Sequence, residues 1–232
     1  MQFRCDIQAW HACSEHVLEL TGHPLPPTQS KVPAGIKRRA SQLSKLVINT
    51  CLPIIAERSV DYIVFATQHG EIHRTLNLLT DLASEEELSP TAFAQSVTST
   101  APGLLTIASK QPIAFTTVSG GKNTLQAGLV EVAMRFYQQP QSNILLIVTD
   151  EALPEIYQHH SAEQHQQNLL ALHFTQGQSW QIECNSGNNG EHSAGEAGPA
   201  ETSARTRFAD KLADKTSFDF DFTNTRWSWK KL

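Results

Sequence analysis

The sequence predicts an α/β fold, a mixed sheet of largely buried strands packed by amphipathic helices, and three observations predict it. Two short apolar runs rich in β-formers, Tyr62–Ala66 and Asn143–Thr149, have the composition of strands buried on both faces. A third run, Ile113–Val118, leads into a glycine turn, Ser119-Gly120-Gly121, and then into a segment with helical spacing. Helical patterns of about 10 to 20 residues separate the strands, as an α/β sheet requires.

Each element follows from its pattern. Residues 2–10 alternate loosely, with Phe3, Cys5, Ile7 and Ala9 on one side of a first strand. Residues 22–35 hold four of the eleven prolines, which predicts a loop. Ala40, Leu43, Leu46, Val47, Cys51, Ile54 and Ile55 place a helix over Ile36 to about Glu57, with Pro53 set to kink or close it. Ile72, Leu76, Leu79 and Leu82 predict a helix from Gly70 to about Ser84. Ser89-Pro90 opens a new segment, and Leu104–Ser109 reads as a short helix. Over Lys122–Gln138 a helix buries Leu125, Leu129, Val132, Ala133 and Phe136. Leu169–Phe174 and Trp180–Cys184 predict two further strands joined by a turn at Gln176-Gly177-Gln178.

After Glu183 the chain changes character. Residues 185–203 are too polar to offset chain entropy and read as a disordered linker between an α/β domain over 1–184 and a docking tail over 204–232. In that tail, 204–215 suits a short helix carrying Phe208 and Leu212. Phe218-Asp219-Phe220-Asp221-Phe222 suits a strand with one aromatic face or a segment that docks on a partner sheet. Trp227 and Trp229 suggest that the end docks, in this chain or on a partner.

Composition bounds the function. A chain of 232 residues fits one domain of ordinary size. Its net charge of −5 and the lack of a Lys/Arg stripe argue against nucleic-acid binding. The basic cluster Lys37-Arg38-Arg39 reads as a solvated first helical turn. With no signal peptide and no apolar run near the roughly 20 residues of a membrane helix, a soluble, cytoplasmic protein is expected. Cys5, Cys13, Cys51 and Cys184 form no CxxC pair and read as reduced packing residues.

The chemical motifs mostly fail. A glycine turn feeding a helix N-terminus favours an anion, but Val118–Asn123 contains neither G-x-G-x-x-G nor a P-loop. Ser119 lacks the G-x-S-x-G of a serine elbow. His69 and His73 are four apart without the H-E-x-x-H pattern, and His159, His160 and His165 fall in a Gln-rich, exposed helical stretch. His192 has nothing around it to hold an imidazole, Glu85–Glu87 reads as a solvated loop, and Asp219 and Asp221 have no identifiable partner. No metal or cofactor is expected.

A family resemblance sharpens this. Ser89-Pro90-Thr91-Ala92-Phe93, Ser96-Val97, Gly103–Ala108 and Pro112 resemble the run leading to the active-site turn of β-ketoacyl synthases. Arg38–Ser41 and its helix, Val64–Glu71, and the small pair Ala127-Gly128 after the turn are similar to further blocks in the same order, over about Ile36 to Leu153. The resemblance implies the N-terminal half of a thiolase-like fold. Against the family's Ala-Cys-Ala-Ser-Gly type of turn, Gly120 matches the nucleophilic cysteine, and no cysteine occurs between Cys51 and Cys184. The chain is also about half the length that the family implies for a complete enzyme, without the half carrying two catalytic histidines.

Cysteine-free relatives of this kind are chain-length factors, which pair with an active ketosynthase and shape its acyl tunnel. Short versions are associated with aryl polyene synthesis, a type II polyketide pathway using acyl carrier proteins. The resemblance thus implies no catalytic residue here and a heterodimer interface along Ile113, Phe115, Thr117 and Val118, with Thr98, Ser99, Thr100 and Leu104 as tunnel-lining candidates. Physically, an uncovered apolar strand edge is a hazard that a partner removes. Two alternatives stand beside it. One is a hydrolase or decarboxylase acting on acyl-carrier substrates through Ser119 and His69. The other is a stand-alone carrier-binding domain that meets the acidic carrier with Lys37, Arg38 and Arg39.

Overall fold

The apolar runs become the centre of one mixed sheet. The computed structural model describes residues 1–14, 20–21, 32–159, 167–186, 201–222 and 225–232. In chain order they form β1 (Gln2–Ser14), β2 (Leu20–Thr21), α1 (Ala34–Arg39), α2 (Gln42–Glu57), β3 (Tyr62–Ala66), α3 (Ile72–Ala83), α4 (Pro90–Ala94) and α5 (Thr100–Ser109). Then follow β4 (Ala114–Val118), α6 (Thr124–Gln138), β5 (Ile144–Asp150), α7 (Glu155–Gln158), β6 (Asn168–Ser186), α8 (Glu201–Ala213), β7 (Phe218–Phe222) and β8 (Thr225–Lys231).

The strand order is β2-β1-β6-β5-β3-β4, with β4 at one edge. β3 runs parallel to both β4 and β5, whereas β6 is antiparallel to β5 and β1. Alternation along each strand divides the core in two. Val64, Ala66, Leu146, Val148, Leu170 and Leu172 face α6 and the C-terminal segment. Ile63, Phe65, Leu145, Ile147, Leu169 and Ala171 face α2 and α5. Burying each such side chain contributes about 1.5–3 kcal/mol, so the sheet is held from both faces.

Several expectations are corrected. The two strands expected over 169–174 and 180–184 are one strand, β6, because β1 pairs with it along nearly its whole length. At Gln176–Gln178 the chain does not turn back but bulges, opposite the β1 register shift between Cys5 and Asp6. The Asp6 carboxylate fills the space above Gly177, where a Cβ would lie 2.0 Å from its Cγ, and accepts from the Ser179 N–H at 2.8 Å. Partial burial works against that carboxylate's charge, yet the bonds from Ser179 and Gln178 and the charge of Lys231 hold it below its usual range.

The expected helix over 36–57 is two helices, because Ala40 and Ser41 are extended and the Ser41 hydroxyl caps α2 by accepting from the Ser44 N–H. Lys37, Arg38 and Arg39 therefore sit in the last turn of α1, where positive charge complements the helix dipole. Pro53 does not close α2, whose helical residues continue to Glu57. α5 begins at Thr100 rather than Leu104, since Pro102 falls in the first turn, where no N–H is needed. After the glycine turn, Gly121–Asn123 forms a short 3₁₀ turn before α6.

The C-terminal segment docks in this chain. β8 pairs with the 180–186 part of β6 on the side β5 has left, and β7 adds to β8. Trp227 and Trp229 are fully buried beside Phe208 and Phe220, and Trp229 stacks on Phe218 at 5.6 Å. Of the stretch 185–203 expected to lack structure, Asn185 and Ser186 complete β6 and 201–203 begin α8, while 187–200 lie outside the described residues. Of the Gln-rich helix expected around His159, the described part is α7, and His159, just past its end, is exposed. His160, His165 and His192 lie outside the described residues. Among the described residues, no helix is long and apolar enough to cross a membrane.

Candidate functional site

The C-terminal ends of the parallel strands β3, β4 and β5 bring together the glycine turn, the loop after Ala66 and Asp150. Ligand sites of open α/β sheets form at such ends, so these residues define the candidate site.

The turn is closed on itself. The Gly120 N–H donates to the Thr124 hydroxyl at 3.2 Å, and that hydroxyl donates to the Gly121 carbonyl at 2.7 Å. The Asn123 N–H donates to the Gly120 carbonyl at 3.0 Å. Gly121 has φ +57°, a left-handed conformation that side chains disfavour. At Gly120 an added Cβ would lie 2.9 Å from the Asn123 carbonyl oxygen and 3.0 Å from the Ala127 Cβ. Gly120 thus lacks both a side chain and the room for one. Gly128, one turn on, lets α6 approach the sheet: a Cβ there would lie 2.7 Å from Leu146 Cδ1.

Ser119 is exposed, and its hydroxyl donates at 3.5 Å to the Gln68 carbonyl, its one hydrogen bond among the described residues. A serine bonded to a backbone carbonyl rather than to an imidazole is not activated, so the Ser119–His69 pairing is not made. His73 is engaged elsewhere, with Nε2 2.8 Å from the Ala152 carbonyl oxygen. Among the described residues, no three His, Cys, Asp or Glu side chains gather as a metal site.

Among the described residues β4 has a partner on one side only. Val118 accepts from the Thr67 N–H at 3.1 Å, so the backbone groups of Val118 and Thr116 point to β3, and those of Thr117 and Phe115 point outward. Thr117 and Val118 are half-buried, and Phe115 is half-buried against the α2/α5 face. Ile113 precedes the strand and is buried in that same face. Thr98 is exposed and lies against Gly70, where a Cβ would sit 3.0 Å from Thr98 Cγ2. Ser99 precedes α5, and Thr100 has its hydroxyl buried without a hydrogen-bond partner. Leu104 is half-buried against the α2/α5 core. Around this edge, α4 and α5 expose Phe93 and Ile107, each 63 % accessible.

Sequence reasoning missed the buried charges. Asp150 accepts from Thr67, Gln68 and His69 and pairs with Arg205. Glu71 accepts from the Ser41 and Ser44 hydroxyls at 2.9 and 2.8 Å, and Glu151 accepts from the Leu43 N–H at 3.2 Å. Both glutamates thus sit at the positive N-terminus of α2. Burial pushes the Glu71 carboxyl above its usual range; the two serine bonds oppose this, and the Glu151 charge adds to it. No local motif signals such groups, because their partners come from three separate segments, the 67–69 loop, the start of α2 and α8.

Comparison with known proteins agrees with the geometry. Residues 8–230 match the family described as β-ketoacyl synthase, N-terminal domain. The chain is similar to a chain in the complex of the ketosynthase ApeO with its chain length factor ApeC from Xenorhabdus doucetiae. That match has 25% identity and a TM-score of 0.80, over 99% of this chain and 100% of the other. It shares its fold with the ishigamide ketosynthase/chain length factor (12% identity, TM-score 0.61, covering 79% of this chain and 68% of that one). It also shares it with a β-ketoacyl synthase from Burkholderia phymatum (13%, 0.53, covering 83% and 58%). No curated protein sequence matches the chain. A match that runs from residue 8 to residue 230 takes in nearly the whole described sheet and its helices: the chain belongs to the β-ketoacyl synthase N-terminal-domain family.

Proposed function

We propose that the protein is a non-catalytic, chain-length-factor-type partner that forms a heterodimer with an active ketosynthase and shapes its acyl tunnel. The observation that carries the reading is the closed, cysteine-free turn at Gly120 at the end of an edge strand with outward-facing backbone groups. A chain that keeps the strand and loses the nucleophile retains a docking edge and no means of forming an acyl-enzyme. The similarity to a chain from a ketosynthase–chain length factor complex supports the same reading. The pathway is a type II polyketide one of the aryl polyene kind, and acyl carrier protein is met through the complex. No cofactor takes part.

In this reading β4 is the dimer edge, through Phe115, Thr117 and Val118 with Ile113 behind them, and Thr98, Ser99, Thr100 and Leu104 line the tunnel. Co-expression with a candidate ketosynthase tests it. Wild-type protein co-elutes with the ketosynthase, and Thr117→Pro, which removes an outward N–H while sparing the β3 ladder, abolishes co-elution. Separate elution of the wild type, with the ketosynthase fully active alone, refutes it. Leu104→Trp shortens the product; unchanged products remove Leu104 from the tunnel.

A further inference from the structure

The C-terminal helix reaches the loop beside the turn through one carboxylate. Asp150 ends β5, and its Oδ1 accepts three hydrogen bonds from a single loop. They come from the Thr67 hydroxyl at 2.8 Å, the Gln68 N–H at 2.9 Å and the His69 N–H at 2.8 Å. Its Oδ2 accepts from an Arg205 guanidinium nitrogen of α8 at 2.7 Å, and the other terminal nitrogen of Arg205 donates to the Asn168 side-chain oxygen. Both charged side chains are about 4% exposed. A buried ion pair adds little net stability over apolar packing, but it is specific: one partner without the other leaves an uncompensated charge.

The loop passes this constraint on. The Gly70 N–H donates to the Thr67 hydroxyl at 2.9 Å, Gly70 lies against Thr98, and the Gln68 carbonyl accepts from Ser119. Three donors converging on one oxygen require that carboxylate to hold one rotation, and the guanidinium on the opposite oxygen supplies it. We propose that Arg205 is a positioning residue: paired with Asp150, it sets the conformation of the 67–70 loop and thereby the surface around the nucleophile-free turn. The C-terminal helix is then a control on that surface as well as a cover for the sheet. Its consequence for partner binding rests on the ketosynthase-partner reading; the positioning does not.

Hydrogen–deuterium exchange on the full chain decides the positioning. In Arg205→Met the Gln68 and His69 amides exchange at least tenfold faster while those of β8 keep the wild-type rate. Arg205→Lys, which keeps the charge and loses the fork, shows the same pattern at a smaller amplitude. Unchanged exchange at Gln68 and His69 overturns the proposal. So does equal acceleration across β3, β5 and β8, which marks a general loss of stability. Where wild-type protein binds a ketosynthase, Arg205→Met weakens that binding at least tenfold, and unchanged affinity refutes the link to the partner surface. If wild-type protein binds none, the partner reading fails and the exchange result still decides the positioning.

Discussion

A cysteine placed at Gly120 should not give an acylated protein. In Gly120→Cys the new Cβ meets the Asn123 carbonyl oxygen at 2.9 Å and the Ala127 Cβ at 3.0 Å. Both belong to the start of α6, which Leu125, Leu129 and Val132 bind into the core, so neither yields freely. Overpacking of this kind costs about 1–3 kcal/mol. For a chain of this size each kcal/mol lowers the melting temperature by about 2–4 °C, so a fall of roughly 2–12 °C is expected. The hydroxyl of the adjacent Ser119 is bonded to the Gln68 carbonyl and, among the described residues, to no imidazole, so an activated thiol is not expected at the turn. Thermal unfolding followed by incubation with an acyl carrier thioester and intact-mass measurement tests both points. A variant that melts as the wild type does and carries a stoichiometric acyl adduct would refute the argument that the turn is closed.

Two further predictions concern stability. Trp229→Ala empties a site where the ring meets Phe208 at 4.9 Å and Phe218 at 5.6 Å, and should cost about 3–5 kcal/mol in chemical denaturation; a loss under ~1 kcal/mol would contradict its role in the core. Glu71, whose carboxyl is raised from 4.5 first by burial, binds its proton more tightly folded than unfolded. Its contribution to stability is therefore greatest at acid pH and declines as pH rises from 4.5 through the raised folded value, a decline absent from Glu71→Gln. Urea midpoints measured across that window check this, and parallel curves for the two proteins would count against it.

Much of the fold was legible locally. Tyr62–Ala66 and Asn143–Thr149 foretold β3 and β5 nearly to the residue, because strands buried on both faces are continuously apolar, and Ile113–Val118 foretold β4 by its lead into a glycine turn. The helix boundaries were less legible. The break between α1 and α2 depends on Ser41, whose hydroxyl caps one helix and donates to Glu71 thirty residues away. Gln176-Gly177-Gln178 reads as a turn in isolation and is a bulge because β1 lies alongside and Asp6 fills the space over Gly177.

By itself the sequence determined that a strand leads through a glycine turn into a helix, and that no cysteine stands in that turn. Composition and order suffice for that, since the pattern is local. Only the tertiary structure decided that Gly120 has no room for a side chain, that β4 is an edge, and that Trp227 and Trp229 dock within this chain. It alone revealed Asp150 and Arg205 as a pair. The physical reason is shared: each of these facts is a contact between segments far apart in the chain, and local periodicity carries no record of which distant segment fills a given space.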